Sequence, residues 1–112
     1  MKAILVDPYK KIFTNVEISG SSEIYSMIDA NYFDVVSIDD KNDIFIDDEG
    51  LLSLDENSMF IHFNNTNIAL AGKGLVIGIN KHGESVDTTL TTDVLEKMIS
   101  FLTVVEAYNL HR

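Results

Sequence analysis

The sequence contains no cysteine and no tryptophan, a single proline, and only eight lysines and arginines against eighteen acids. Without cysteine there are no disulfides, thiolate metal sites or cysteine nucleophiles, which fits a reducing compartment. No apolar run approaches the roughly 18 residues of a membrane span. The opening MKAILVDPYKK reaches Asp7 and Pro8 too early for a signal peptide, so a cytoplasmic protein is expected. Scarce proline, no low-complexity linker and no internal repeat leave no domain boundary in 112 residues. One domain spanning residues 1–112 is expected, since domains typically run roughly 100 to 150 residues. Such a chain buries about two-thirds of its unfolded surface, enough for one core.

The formal charge of −10 is unevenly placed. Between Glu23 and Glu56 there are eleven acids and one lysine, Lys41, which accounts for all of it; elsewhere seven acids meet seven bases. Such a field repels nucleic acid, whose binders need lysine and arginine gathered on one face, and attracts cations and basic protein surfaces.

Periodicity points to both helix and strand. Ala3 to Val6 fits a buried strand stopped by Asp7-Pro8, with DPYK as a hairpin turn. Residues 11–19 place Ile12, Thr14, Val16 and Ile18 at period two, a half-buried strand. Gly20-Ser21-Ser22-Glu23 starts a short helix with a serine cap, and Ile24, Met27 and Ile28 form its apolar face. Phe33–Asp39 and Asp43–Asp47 are strands around the turn Asp40-Lys41-Asn42, and LLSL at 51–54 returns the chain to the core. Met59–Phe63 is a strand containing His62. Leu75–Ile79 is the strongest buried strand, and His82-Gly83-Glu84 a turn. Thr91 to Tyr108 reads as the main helix, capped by Asp93 with Glu96. Its stripe is Val94, Leu95, Met98, Ile99, Phe101, Leu102, Val105 and Tyr108, with Val104 outside it. So wide a face sits deep against a sheet or continues into a second subunit. The expected fold is α+β: a mostly antiparallel sheet of five to six strands, one short helix, and a longer C-terminal helix packed on one face.

Two tracts invite a chemical reading. IDDKNDIFIDDEG (38–50) holds six carboxylates: Asp39, Asp40, Asp43, Asp47, Asp48 and Glu49. A calcium loop of the EF-hand type needs a glycine sixth and a glutamate twelfth. Counting from Asp39 puts Ile44 at the glycine position, and counting from Asp43 puts Asp48 there. No metal is expected; the bland reading is a solvated hairpin, the sharper one a protein-binding face. Gly72-Lys73-Gly74-Leu75-Val76-Ile77-Gly78 suggests a nucleotide loop, but no serine or threonine follows the lysine, and Ile77 stands where a dinucleotide fingerprint needs its third glycine. Its glycines make a turn or bulge, or alternatively offer amides to an anion. His62, His82 and His111 show no ligand spacing, and no serine sits in a G-x-S-x-G elbow.

The opening MKAILVDP, the segment FDVV followed by IFIDDEGLL, and AGKGLVIG leading to Gly83-Glu84 resemble a family of small phage and prophage proteins, domain-of-unknown-function family 3846. The likeness runs in order over most of residues 1–87 and is most specific from Ile44 to Leu52 and from Leu70 to Gly78. It implies an accessory phage protein made in the host bacterium's cytoplasm, with no catalytic motif to carry over; no cofactor is expected. Its signature positions would be Asp47, Asp48, Glu49, Gly50, Gly72, Gly74 and Gly78.

The preferred expectation is a non-catalytic protein whose acidic face, Asp39, Asp40, Asp43, Asp47, Asp48 and Glu49, binds a basic host protein; inhibition of a defence or nucleic-acid-binding protein is its sharpest form. The alternatives are a small-ligand or signalling-nucleotide sequestering protein using Gly72, Lys73, Gly74 and Gly78, and a weak metal-dependent hydrolase.

Overall fold

Leu75, Val76 and Ile77 have no accessible surface, and the fold is arranged around the strand that contains them. The computed structural model describes residues 1–110. In chain order the elements are β1 (Lys2–Asp7), β2 (Ile12–Glu17), α1 (Ser21–Ile28), β3 (Phe33–Ser37), β4 (Asn42–Asp47), a 3₁₀ turn (Gly50–Ser53), β5 (Met59–Phe63) and β6 (Ala69–Ala71). They continue with β7 (Gly74–Ile79), β8 (Ser85–Val86), α2 (Thr92–Met98), β9 (Ile99–Thr103) and α3 (Val104–Asn109). One sheet has the order β2-β1-β7-β4-β3, with β8 pairing β7 beyond the end of β1; a second sheet has the order β6-β5-β9. All these pairings are antiparallel, so the protein is α+β with a six-stranded antiparallel sheet at its centre.

The uninterrupted apolar run in β7 follows from burial on both sides. Leu75 and Ile77 point to one face, where Ile24 and Ile28 of α1 cover them with Ala3 and Ile18. Val76 points to the other, where Ile4, Val6 and Ile44 pack against Ile61, Phe63 and Ile99 of the second sheet and Leu95 of α2. Successive strand side chains alternate faces, so a strand covered twice needs apolar residues throughout.

Several sequence expectations are corrected. The single helix over Thr91–Tyr108 is instead α2, β9 and α3. Residues 99–103 (ISFLT) are β-branched or aromatic at three of five positions, and β5 needs a partner on its open edge; the five-residue ladder from Met59↔Thr103 to Phe63↔Ile99 supplies it. Val94, Val105 and Tyr108 are consequently exposed, while Val104 packs beside Phe60, Ala71 and Ala107. The cap of α2 is Thr91, whose side chain accepts from the Val94 N–H, rather than Asp93. Thr103 opens α3 with a reciprocal box: its Oγ1 accepts from Glu106 N–H, and the Glu106 carboxylate accepts from Thr103 N–H. Thr103→Ala is expected to cost about 1 kcal/mol in urea denaturation.

At α1 the cap is Gly20 without a side-chain bond; Glu23 reaches back instead to the Ser19 N–H and hydroxyl. In β2, Ile12 and Thr14 are exposed, and Phe13 turns inward against Phe101 with ring centroids 5.4 Å apart. The LLSL segment does not return to the core: Leu51, Leu52 and Leu54 are exposed.

Candidate functional site

The β3–β4 hairpin divides the six carboxylates into two groups. Asp39 and Asp40 lie in its turn with Asp43 just inside β4, opposite Ser37. Asp47 closes β4 opposite Phe33 at the other end, and Asp48 and Glu49 follow it. Asp43 and Asp47 are four steps apart along the strand, about 13 Å. The segment is therefore two sites in space.

At the turn, Asp39 builds structure: its Oδ1 accepts from Lys41 N–H (2.8 Å). Asn42 is wholly buried and is the hub: its Nδ2 donates to Asp39 Oδ1 (3.1 Å) and Thr89 Oγ1 (2.8 Å), while its Oδ1 accepts from the Thr88 hydroxyl (2.6 Å) and Thr89 N–H (3.2 Å). This ties the hairpin to the chain ahead of α2. Asn42→Ala strands these partners and is expected to cost about 2–3 kcal/mol, read as a lower urea midpoint. Partial burial, with the like charge of Asp39 adding to it, raises the Asp43 pKa above the usual aspartate value. A carboxyl whose folded-state pKa is raised favours folding when protonated, and that advantage disappears as pH rises through the folded value. Asp43→Asn should therefore raise the melting temperature at pH 7, with the gain vanishing below about pH 3, where the carboxyl is protonated in both states.

The other end is different. Asp47 Oδ1 accepts from Glu49 N–H (2.9 Å), and Asp55 Oδ1 from Asn57 N–H (2.8 Å), so one aspartate fixes each side of a loop running from 47 to 56. Between them Leu51, Leu52 and Leu54 stand 68%, 82% and 40% exposed. Among the described residues, none of Asp47, Asp48, Glu49, Asp55 and Glu56 has a salt-bridge partner.

The glycine tract is mostly architecture. Gly74 faces Val6 on one side and Ile46 on the other, and Gly78 faces Asn42 and Val86, so their backbone groups are committed to the sheet. A Cβ on Gly74 would stand 2.6 Å from Ile44 Cδ1. Gly72, at φ +84°, makes the turn from β6 into β7, and its N–H donates to the Met59 carbonyl (3.0 Å). Of the four candidates for a ligand loop, Gly72 and Lys73 line a cavity.

That cavity is a cleft of about 460 Å³ where the ends of β1 and β4, the C-terminus of α1, the 3₁₀ turn and the β6–β7 turn converge. It brings together parts of both tracts, Asp47 and Gly50 with Gly72 and Lys73, and adds Asp7 and Asp29. The approach is close: a Cβ on Gly50 would lie 3.1 Å from the Ala71 carbonyl oxygen. Lys73 Nζ pairs with Asp29 Oδ2 at 2.6 Å, and this hydrogen bond raises the lysine pKa, with Asp7 and Tyr9 adding to it electrostatically.

The family model described as "Domain of unknown function (DUF3846)" matches residues 1–102. The chain belongs to that family. No curated protein and no solved structure gives a significant match. The family match spans both tracts and the whole cleft and ends within β9, so α3 lies beyond it. Among the described residues no three His, Asp or Glu side chains come together to hold a metal ion, and no helix is long and apolar enough to cross a membrane. His62 lies in β5, its Nε2 2.9 Å from the Thr66 carbonyl, and His82 lies in the β7–β8 turn; His111 lies outside the described residues.

Sequence reasoning missed Asp7, Tyr9, Lys10 and Asp29, which become cleft residues only when β1 and α1 end beside the β6–β7 turn. It also missed the exposed leucines, although a readable signal existed. LLSL is too short for a helical face, lacks strand alternation and is bracketed by DDE and DE.

Proposed function

We propose that this chain is a non-catalytic binding protein that docks onto a basic partner protein through the loop from Asp47 to Glu56. The observation that carries this reading is the exposure of Leu51, Leu52 and Leu54 in a loop that brackets them with five carboxylates in sequence. Exposed leucine in a folded domain favours burial, by about 1.5–3 kcal/mol per side chain fully covered. The surrounding charge selects what can cover it: an apolar pocket rimmed by lysine or arginine. Such a rim steers encounter and makes association fast and salt-sensitive. No lysine or arginine occurs in sequence between Lys41 and Lys73, so the loop itself carries only negative charge.

In this reading the partner is a protein of a bacterial host, the setting is phage accessory function in the host cytoplasm, and blocking a defence or nucleic-acid-binding protein is the sharpest form. The site is narrower than the six carboxylates of the hairpin. Asp47, Asp48 and Glu49 belong to it with Asp55 and Glu56, whereas Asp39, Asp40 and Asp43 sit at the opposite end of the hairpin.

Photo-crosslinking in host cells tests the docking surface directly. A crosslinking residue at Leu52 should give one dominant adduct with a basic protein, and the same residue at Ser85, which is exposed on β8, should not. Equal adducts from both positions, or adducts from Ser85 alone, would remove the proposal.

A further inference from the structure

We infer that the cleft between the β1 end and the β6–β7 turn is a binding site for an organic cation, a primary ammonium or guanidinium carried on a short aliphatic stem. The deciding residue is Asp7. It is only 6% exposed, and its Oδ1 accepts from both Tyr9 N–H (2.9 Å) and Lys10 N–H (3.2 Å). Its Oδ2 accepts no hydrogen bond among the described residues, yet it is not sealed from solvent, since no buried side-chain oxygen is left without a partner. Asp7 lines the cleft, so a nearly buried carboxylate with one unbonded oxygen forms part of its wall. The two turn N–H groups offset part of the cost of burying this charge, and a cationic donor at the other oxygen offsets more.

The remaining lining agrees. Asp7, Asp29 and Asp47 face Lys10 and Lys73, and Lys73 is already paired with Asp29. The cleft therefore carries an excess of negative charge in a chain of net charge −10. Gly72, Gly74 and Gly78 have spent their amides within the sheets, so anion capture by the glycine tract would fall to Lys73, whose ammonium is paired with Asp29. Ile28, Leu54 and Ala71 supply an apolar wall for the stem, and the ring of Tyr9 stands half exposed at the mouth. A volume of about 460 Å³ is room for a small molecule or one long side chain. Lys73 acts as an internal competitor whose ammonium holds one of the three carboxylates.

The chemistry has two sources, a free amine or the lysine or arginine of a partner; the cleft borders the docking loop at Asp47 and Leu54, but the site is argued from Asp7, which lies outside that loop. The test is ¹⁵N–¹H NMR titration of the full chain with agmatine, with a capped Ala-Arg-Ala peptide and with inorganic phosphate. Saturable shifts at Tyr9, Lys10, Gly72 and Lys73 with agmatine indicate a free-amine site; shifts with the peptide alone indicate a partner's side chain. Asp7→Asn keeps the acceptor for the two turn amides and should weaken binding at least about tenfold, the loss of one charge-assisted contact. Asp47→Asn, farther from the turn, is the second variant and should weaken binding more modestly. Lys73→Gln should tighten it by freeing Asp29. Binding of phosphate that Lys73→Gln abolishes, or no saturable shift with either cation, would overturn the inference.

Discussion

Replacing Leu51 and Leu52 together by serine is expected to weaken partner binding by at least about a hundredfold while leaving the melting temperature unchanged. The two effects separate because the side chains are 68% and 82% exposed and so contribute little to the core. If each leucine buries most of its surface in a partner pocket, losing both costs about 3 kcal/mol or more, two decades in affinity. Neutralising Asp47, Asp48 and Glu49 acts differently, mainly slowing association and flattening its salt dependence, since rim charges govern encounter more than residence. Surface plasmon resonance at two ionic strengths distinguishes the two sets of variants. A leucine pair that can be removed without loss of affinity would mean that the exposed loop is not the contact.

The second large effect concerns the fold. Gly78→Ala is expected to lower stability by about 3 kcal/mol, with a fall of at least about 10 °C in melting temperature. An added Cβ would stand 2.2 Å from the Asp87 carbonyl oxygen, 2.8 Å from its carbon and 2.9 Å from the Val86 oxygen. All three are backbone atoms, and that segment cannot retreat. Asp87 Oδ1 accepts from Lys2 N–H, Thr88 N–H donates to the Lys2 carbonyl, and Thr88 and Thr89 are bonded to Asn42. Gly72→Ala meets no atom within 4 Å and carries only the penalty of its positive φ, about 1 kcal/mol. Thermal melts of the two variants therefore rank the glycines, and equal effects would contradict the packing argument.

Those glycines also show what can be read from the sequence. The tract from Gly72 to Gly78 is visible as glycines in an apolar run, and a turn or a close backbone approach is the correct physical inference. Which glycine makes the turn and which admits a neighbouring backbone depends on Asp87, brought in by β8, which is only two residues long. Strand β7 is legible because burial on both faces leaves an unbroken apolar stretch. Residues 91–108 are misleading for a related reason. Their apolar spacing suits a helix of 3.6 residues per turn, but the edge of β5 is filled by residues 99–103, and a five-residue ladder outweighs local propensity. Thr103 is the residue that could have signalled the break, since it stands three before Glu106 in a capping box. The acidic segment is legible as chemistry but not as geometry. Six carboxylates in thirteen residues suggest one patch, and only the pairing of β3 with β4 sends three to each end. The cleft is harder still, because Asp7 and Asp29 come from separate elements with nothing in their spacing to link them.

The most direct test of where contact is made is a hydrogen-exchange footprint of the isotopically labelled chain bound to its captured partner. Protection should gather at Asp47–Glu56 and along the neighbouring cleft turns at 7–10 and 71–73. Protection centred instead on the hairpin turn at Asp39–Asp43, or on the β2 and β8 edges, would place the interface on another face and contradict the account.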